Sequence, residues 1–148
     1  FKEKSEEINT LIRSANSDLR FGIVVCDIND LKKINDTRGH NFGDEVLKNI
    51  SDYFLLFMKD KGYICRWGGE EFLFLFPDCD IEKPYGYIVE IREHIEKTPV
   101  VYNNETIDIT MTFGVEEYKP ELLVTELINK ADDKLYQGKS GGRNTVVK

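Results

Sequence analysis

Basic residues are in short supply: 20 Lys and Arg face 27 Asp and Glu, which leaves a net charge of -7 and a pI near 4.9. That balance excludes duplex nucleic acid as a principal partner, because such affinity rests on a basic surface. A small anionic ligand that brings its own divalent cations is not excluded. Long apolar runs are also missing, far short of the roughly 20 residues a bilayer demands, so this stretch makes no membrane contact of its own. Cysteine is sparse and oddly numbered, with Cys26, Cys65 and Cys79 and no C-x-x-C spacing. A disulfide framework and a thiolate metal site are thereby set aside, and buried free thiols in a cytoplasmic domain are expected. There are only four prolines and no Pro/Gly/Ser-rich interruption, internal repeat or signal peptide, so residues 1–148 read as one domain with its own core. The chain opens at Phe1 without a methionine. It is expected to be a piece of a longer multidomain chain, with any targeting or membrane-anchoring segment lying outside it.

What is present centres on Arg66-Trp67-Gly68-Gly69-Glu70-Glu71-Phe72. Apolar runs flank it on both sides, at Tyr63 to Arg66 and at Phe72 to Phe76, so Gly68-Gly69 reads as the turn of a β-hairpin with Glu70 and Glu71 at its tip. Successive side chains on a strand face opposite ways, whereas a turn lets both carboxylates approach one cation. Glycines there also clear room for a phosphate against backbone. A solvated hairpin tip with two surface glutamates is the plainer alternative for these residues taken alone.

Along the chain, Phe1, Ile8, Leu11, Ile12 and Ala15 predict an amphipathic helix over about 2–16. Phe21 to Ile28 is a nearly continuous apolar run ending at Asp27, the pattern of a strand buried on both faces. A short helix is expected from Asp30 to Thr37, a turn at Arg38-Gly39-His40, and a longer helix from about Gly43 to Lys59. After the hairpin come a helix from about Ile81 to Lys97, a short strand at Val100 to Tyr102, a turn at Asn103-Asn104 and a longer strand from Thr106 to Glu116. A last helix is predicted over Glu121 to Gln137, stopping at Gly138, with a basic, glycine-rich loop from Lys139 to Arg143 and a final strand at Thr145 to Lys148. The order contains a ferredoxin-like βαββαβ unit, so the expected fold is α+β, a mainly antiparallel sheet flanked by helices.

In such a sheet the first strand lies antiparallel beside the third, which brings Asp27 next to Glu70 and Glu71. Carboxylates gathered at one edge raise each other's pKa unless a cation sits among them. A hard divalent ion fits, since Mg²⁺ takes one or two carboxylates, keeps waters and completes its shell with substrate phosphates. The carbonyl of Ile28 could add another oxygen. A lysine or arginine filling that edge would exclude the ion.

The run from Asp27 through Lys32, Asn35, Asp36, Gly39-His40 and Gly43-Asp44, then Gly68-Gly69-Glu70-Glu71-Phe72, then Asp132, Tyr136, Lys139 and Gly142-Arg143-Asn144 resembles the GGDEF family of diguanylate cyclases in its G-G-E-E-F form. The resemblance covers nearly the whole chain, in order. It implies a palm-type nucleotidyl cyclase fold and condensation of two GTP into cyclic di-GMP with release of pyrophosphate. It also implies two Mg²⁺ per site, with Mn²⁺ as a substitute, held by Asp27, the Ile28 carbonyl and Glu70, and Glu71 as the second signature acid. Asn35 and Asp44 are implied as readers of guanine, whose N1-H and N2-H₂ donors suit a carboxylate, with His40 in the same pocket. Lys32, Lys139 and Arg143 are implied as phosphate-binding cations. Taken singly, each of these would read as ordinary surface charge. The partners implied are GTP, a second copy in a transient antiparallel homodimer, and an upstream sensor or receiver domain.

Several positions depart from the family pattern. The D-x-L-T-G-x-x-N-R opening is absent, Asn29 and Leu31 replace a common acid and a common phenylalanine, and Gly138 replaces an alanine and is expected to loosen the placement of Lys139. Where an R-x-x-D product-inhibition site would begin, the chain reads Lys59-Asp60-Lys61-Gly62, so no such site is expected. Two alternatives stay open. One is a non-catalytic module that binds GTP or cyclic di-GMP, which the retained Asp27, Glu70 and Glu71 oppose. The other is a cyclase of mixed purine dinucleotides, which Asp44 opposes. Arg66 is expected to join a local carboxylate network, and Trp67 to be a core side chain rather than a base-stacking one.

Overall fold

The computed structural model describes residues 20–119 and 122–148; the helix expected over 2–16 lies outside them. The elements are β1 (Phe21–Ile28), α1 (Leu31–Arg38), α2 (His40–Met58), β2 (Tyr63–Arg66), β3 (Glu71–Pro77), α3 (Glu82–Lys97), β4 (Val100–Tyr102), β5 (Glu105–Ile107), β6 (Met111–Glu117), α4 (Val124–Ser140) and β7 (Val146–Val147). The architecture is α+β, as expected. A five-stranded sheet runs in the order β2-β3-β1-β6-β7, beside a two-stranded β4-β5 ribbon. All neighbours in the large sheet are antiparallel except β6 and β7.

β1 is central and all of its residues are buried, which is why its sequence is apolar without alternation. Its two faces belong to different cores. Val24, Cys26 and Ile28 join Phe72, Phe74 and Phe76 of β3 with Val46, Ile50 and Phe54 of α2 and Ile88 and Ile91 of α3. Phe54 anchors that side, its ring edge-on to Phe72 at 5.1 Å and to Phe74 at 4.8 Å. Phe21, Ile23 and Val25 meet Leu73 and Leu75 together with Leu127, Ala131 and Leu135 of α4.

Four details differ from the sequence reading. The strand expected from Thr106 to Glu116 is two strands, β5 in the ribbon and β6 in the main sheet. Between them the Thr110 carbonyl accepts the Asn29 N–H at 3.0 Å and Ile109 is buried. Inward-facing positions therefore continue through a change of sheet, and a period of two could not reveal the break. Second, the turn between the first helices shrinks to Gly39, with α2 starting at His40. Third, Glu71 is the first residue of β3 rather than part of the hairpin tip, its carbonyl accepting from Trp67 at 2.8 Å and Gly68 at 3.2 Å.

Finally, α4 starts later than predicted and runs through Gly138 to Ser140. A Cβ at Gly138 would stand 2.7 Å from Thr112 Cγ2. The glycine thus lets the last helical turn close onto β6, where it was expected to stop the helix and loosen Lys139.

Candidate functional site

Asp27 pairs with Glu71 across β1 and β3, so it is Glu71, not Glu70, that stands directly opposite, with both side chains on one face of the sheet. Glu70 lies one residue before the strand, its carbonyl accepting the Ile28 N–H at 3.3 Å. Asp27 shares the parity of Ile23 and Val25 and so emerges on the side covered by α4. It is almost fully buried, at 3% exposure.

On that side Lys139, in the last turn of α4, donates to Asp27 Oδ2. The other oxygen, Oδ1, is buried with no hydrogen-bond partner. Burial pushes the Asp27 pKa above the usual carboxylate range, while the Lys139 hydrogen bond and the charges of Lys139 and Arg143 pull it back. Glu70 is raised by burial and then by the charge of Asp27. Glu71 is raised by burial, then by Asp132, Asp27 and Glu70. Asp132 is raised by burial, then by Asp133 and Asp27. The edge is therefore a concentration of negative charge, with Lys139 paired to Asp27 within it.

The requirement that no lysine fill this edge is only partly met, since Lys139 takes one of the two Asp27 oxygens. Among the described residues no group of three or more His, Cys, Asp or Glu is arranged to hold a metal by itself. The donors nonetheless fit a hard cation. A buried carboxylate oxygen without a partner is costly, and a protein contribution of one or two carboxylates suits Mg²⁺.

The other end of the site is formed where α1 and α2 abut. Asn35 and Asp44 line an open cleft of about 940 Å³ together with Leu31, Leu47 and the hairpin from Arg66 to Glu71. Asn35 Oδ1 is also buried and unpartnered. It sits so near Gly43 that a Cβ there would lie 1.7 Å from it, so the glycine admits the amide. The sequence reading named Gly43 as a motif position beside Asp44 and gave it no role in the site.

His40 does not join Asn35 and Asp44. It lines a separate cavity of about 320 Å³ with Arg38, Tyr102 and Asn103, because α2 begins at His40 and its first turn faces the β4-β5 ribbon. Lys32 stands exposed on the first turn of α1.

Arg143 and Asn144 both adopt left-handed backbone, with φ of 64° and 49°, and Arg143 Nη1 lies 3.5 Å from Asp30 Oδ1. Arg66 is committed to the hairpin carbonyls, donating from Nε to Gly68 at 3.2 Å and Gly69 at 3.1 Å, rather than to carboxylates as expected. Trp67 is at the edge of the α4-side core. In the window read as lacking a product-inhibition motif, Lys61 Nζ donates to the Phe57 carbonyl at 3.2 Å and to Asp60 at 3.0 Å, and lies over the rings of Phe57 and Tyr87.

Comparison with known proteins follows the same lines. Residues 4–145 match the family described as "Diguanylate cyclase, GGDEF domain". The chain is 36% identical over 127 residues to the response regulator PleD of Caulobacter vibrioides, covering 84% of this chain and 28% of that protein. It is 30% identical over 143 residues to diguanylate cyclase A of Treponema denticola, covering 96% of this chain and 38% of that one. The chain thus spans well under half the length of these curated relatives. Among solved structures, the GGDEF domain of DgcB from Caulobacter crescentus in complex with c-di-GMP superposes with a TM-score of 0.93 at 29% identity, covering 99% of this chain and 88% of that one.

Proposed function

The chain belongs to the GGDEF family of diguanylate cyclases, and from that premise we propose that it condenses two GTP into cyclic di-GMP with release of two pyrophosphates. The observation that carries this reading is the open cleft that Asn35 and Asp44 line together with Glu70 and Glu71. A guanine held by the first pair puts its triphosphate toward the second. In each half-reaction the 3′-oxygen of one GTP forms a bond to the α-phosphorus of the other. The α–β phosphoanhydride bond breaks, pyrophosphate leaves with the bond's electrons, and the hydroxyl proton passes to a nearby carboxylate or to water.

Asp44 accepts from the guanine N1-H and N2-H₂, and Asn35 supplies the complementary contact. A base lacking those donors leaves both groups unpaired, which is how hydrogen-bonding sites discriminate. Divalent-cation use goes with the family. The proposal is two Mg²⁺ held by Asp27, the Ile28 carbonyl and Glu70, with Mn²⁺ able to substitute. When bound, such ions lower the pKa of a coordinated hydroxyl and neutralise phosphate charge. Lys139 then leaves Asp27 for the triphosphate, joined there by Arg143 and, from the first turn of α1, by Lys32.

One site makes one linkage and the product has two. The working form is therefore a transient antiparallel homodimer with one GTP per subunit, controlled by a sensor or receiver domain elsewhere in the full protein. No described helix is long and apolar enough to cross a membrane, and a GTP-consuming reaction places the domain in the cytoplasm.

A second reading has one observation in its favour. If Lys139 never leaves Asp27, the cleft is a GTP- or cyclic di-GMP-binding regulatory module without turnover. Incubation with GTP and Mg²⁺ at high protein concentration, with products identified by mass spectrometry, separates the two. Cyclic di-GMP formed by the wild type and not by Glu70→Ala supports catalysis, and nucleotide bound but unchanged supports the module.

A further inference from the structure

Asn144 is held on three sides. Its backbone N–H donates to Thr112 Oγ1 at 3.0 Å. Its side-chain Oδ1 accepts from Arg92 Nη1 at 3.1 Å, and its Nδ2 donates to Glu96 Oε2. Arg92 and Glu96 are paired in turn at 3.2 Å along α3. The Thr112 hydroxyl, fully buried on β6, has one proton to give. Having accepted the Asn144 N–H, it donates to Asn29 Oδ1 at 3.0 Å, while Asn29 Nδ2 donates to Thr110 Oγ1 at 2.9 Å. A relay of hydrogen bonds thus runs from the end of β1, across β6, to α3, with Asn144 at its centre.

The centre of the relay lies next to Arg143, whose backbone is in a sparsely populated region. Arg143 sits at φ 64°, a region L side chains enter reluctantly. Its N–H reaches back to the Gly138 carbonyl at 2.9 Å, and its guanidinium is exposed and directed toward Asp30. Asn tolerates left-handed backbone better than most residues, so position 144 can take the second left-handed step and still offer an amide to α3. Asn29 fits the same picture. Two residues from Asp27, an acid would add buried negative charge to an edge already crowded with it. The neutral amide instead donates to Thr110 and accepts from Thr112.

We propose that Asn144 is a positioning residue for the phosphate end of the site: clamped by the Asn29–Thr112 pair and by Arg92–Glu96, it fixes the left-handed turn that presents Arg143 to the substrate triphosphate. This rests on the reading of the cleft as a GTP site and adds to it a structural reason for the departure at Asn29. None of the clamp residues Asn29, Thr112, Arg92, Glu96 and Asn144 is among those that line the cleft with Asn35 and Asp44. Loss of the clamp therefore acts on the phosphates and leaves the base contacts intact.

The test is binding without turnover. A GTP analogue with an α,β-methylene bridge, which cannot release pyrophosphate, and guanosine, which has no phosphates, are titrated with Mg²⁺ into folded protein by NMR. The variants are Asn144→Gly, which keeps the backbone freedom and removes the clamp, Thr112→Val, which removes the hydroxyl at similar volume, and Thr112→Ser, which restores it. The expected result is a loss of about tenfold or more for the analogue in Asn144→Gly and Thr112→Val, as for a hydrogen bond to a charged group, with guanosine unchanged and Thr112→Ser restored. Equal loss for both ligands, or none for either, overturns the positioning role while leaving the GTP site standing. Wild-type protein that binds neither ligand overturns the GTP site and this proposal with it. Arg92→Met tests the clamp from the other side, with the same split expected, should a Thr112 variant fail to fold.

Discussion

Cys26 and Asp27 are neighbours on one strand, both buried, and both have pKa values pushed up chiefly by burial, yet they have opposite fates. Cys26 points into the side sealed by α2 and α3, where its thiol finds the Phe72 carbonyl at 3.6 Å and serves as a small apolar group. Asp27 points to the α4 side at the place where the apolar residues end, and there it meets Glu71, Asp132 and Lys139. One step in strand parity separates a core position from a charged edge. A strand can therefore place a costly carboxylate with little positional freedom, because six buried neighbours before it hold the backbone still.

The contrast can be broken most sharply at Asp27 itself. Asp27→Ala is expected to cut cyclic di-GMP formation by at least about a thousandfold, the scale of losing a metal-assisted step, without unfolding the domain. Retained turnover in a clean preparation, with circular dichroism unchanged, would reject the assignment. On the sealed side the effect is structural. Phe54→Ala removes the ring between Phe72 and Phe74 and should cost about 3–5 kcal/mol in urea unfolding, whereas Cys26→Ala should cost about 1–2 kcal/mol and keep full activity.

At the base end, Asp44→Ser should reduce the preference for GTP over ATP by about tenfold or more, the value of leaving a base's hydrogen bonds unmade. Unchanged selectivity in competition assays would mean that the base is read elsewhere. The pH dependence sharpens the comparison further. The raised values of Asp27, Glu70, Glu71 and Asp132 mean that the folded state holds these protons more tightly than the unfolded chain does. Their contribution to stability is thus complete below the unfolded carboxylate range and is lost as pH rises through the raised values. Without divalent ions, thermal unfolding should show that decline. Asp132→Asn should flatten it and Mg²⁺ should offset it at neutral pH; a slope insensitive to both would contradict the crowded edge. The smallest effect expected is on feedback. With Lys61 engaged by Phe57, Asp60 and Tyr87, added cyclic di-GMP should change the initial rate little, and potent non-competitive inhibition would show a product site built from other residues.

Much of this molecule could be read in advance because its signals are local. The apolar run of β1, the hairpin and the helical spacing of α2, α3 and α4 each show within one element, and the motif residues keep their order over nearly the whole chain. The misses have a common cause. The break between β5 and β6 hides under unbroken inward alternation. His40 lines a cavity beside the β4-β5 ribbon and not the cleft of Asn35 and Asp44, and Gly138 proved to be a point of close approach to Thr112 instead of a helix stop. In each case the deciding neighbour lies on another element.

The residue types, their spacing and their order along the chain were enough to settle family and fold class, since periodicity and motif are properties of the covalent sequence. Which acid faces Asp27, which cation rests on it, and which glycine makes room for Asn35 were settled only in three dimensions. Lys139 stands 112 positions from Asp27, and the force between two charges depends on their separation and burial in space, neither of which is written in their distance along the chain.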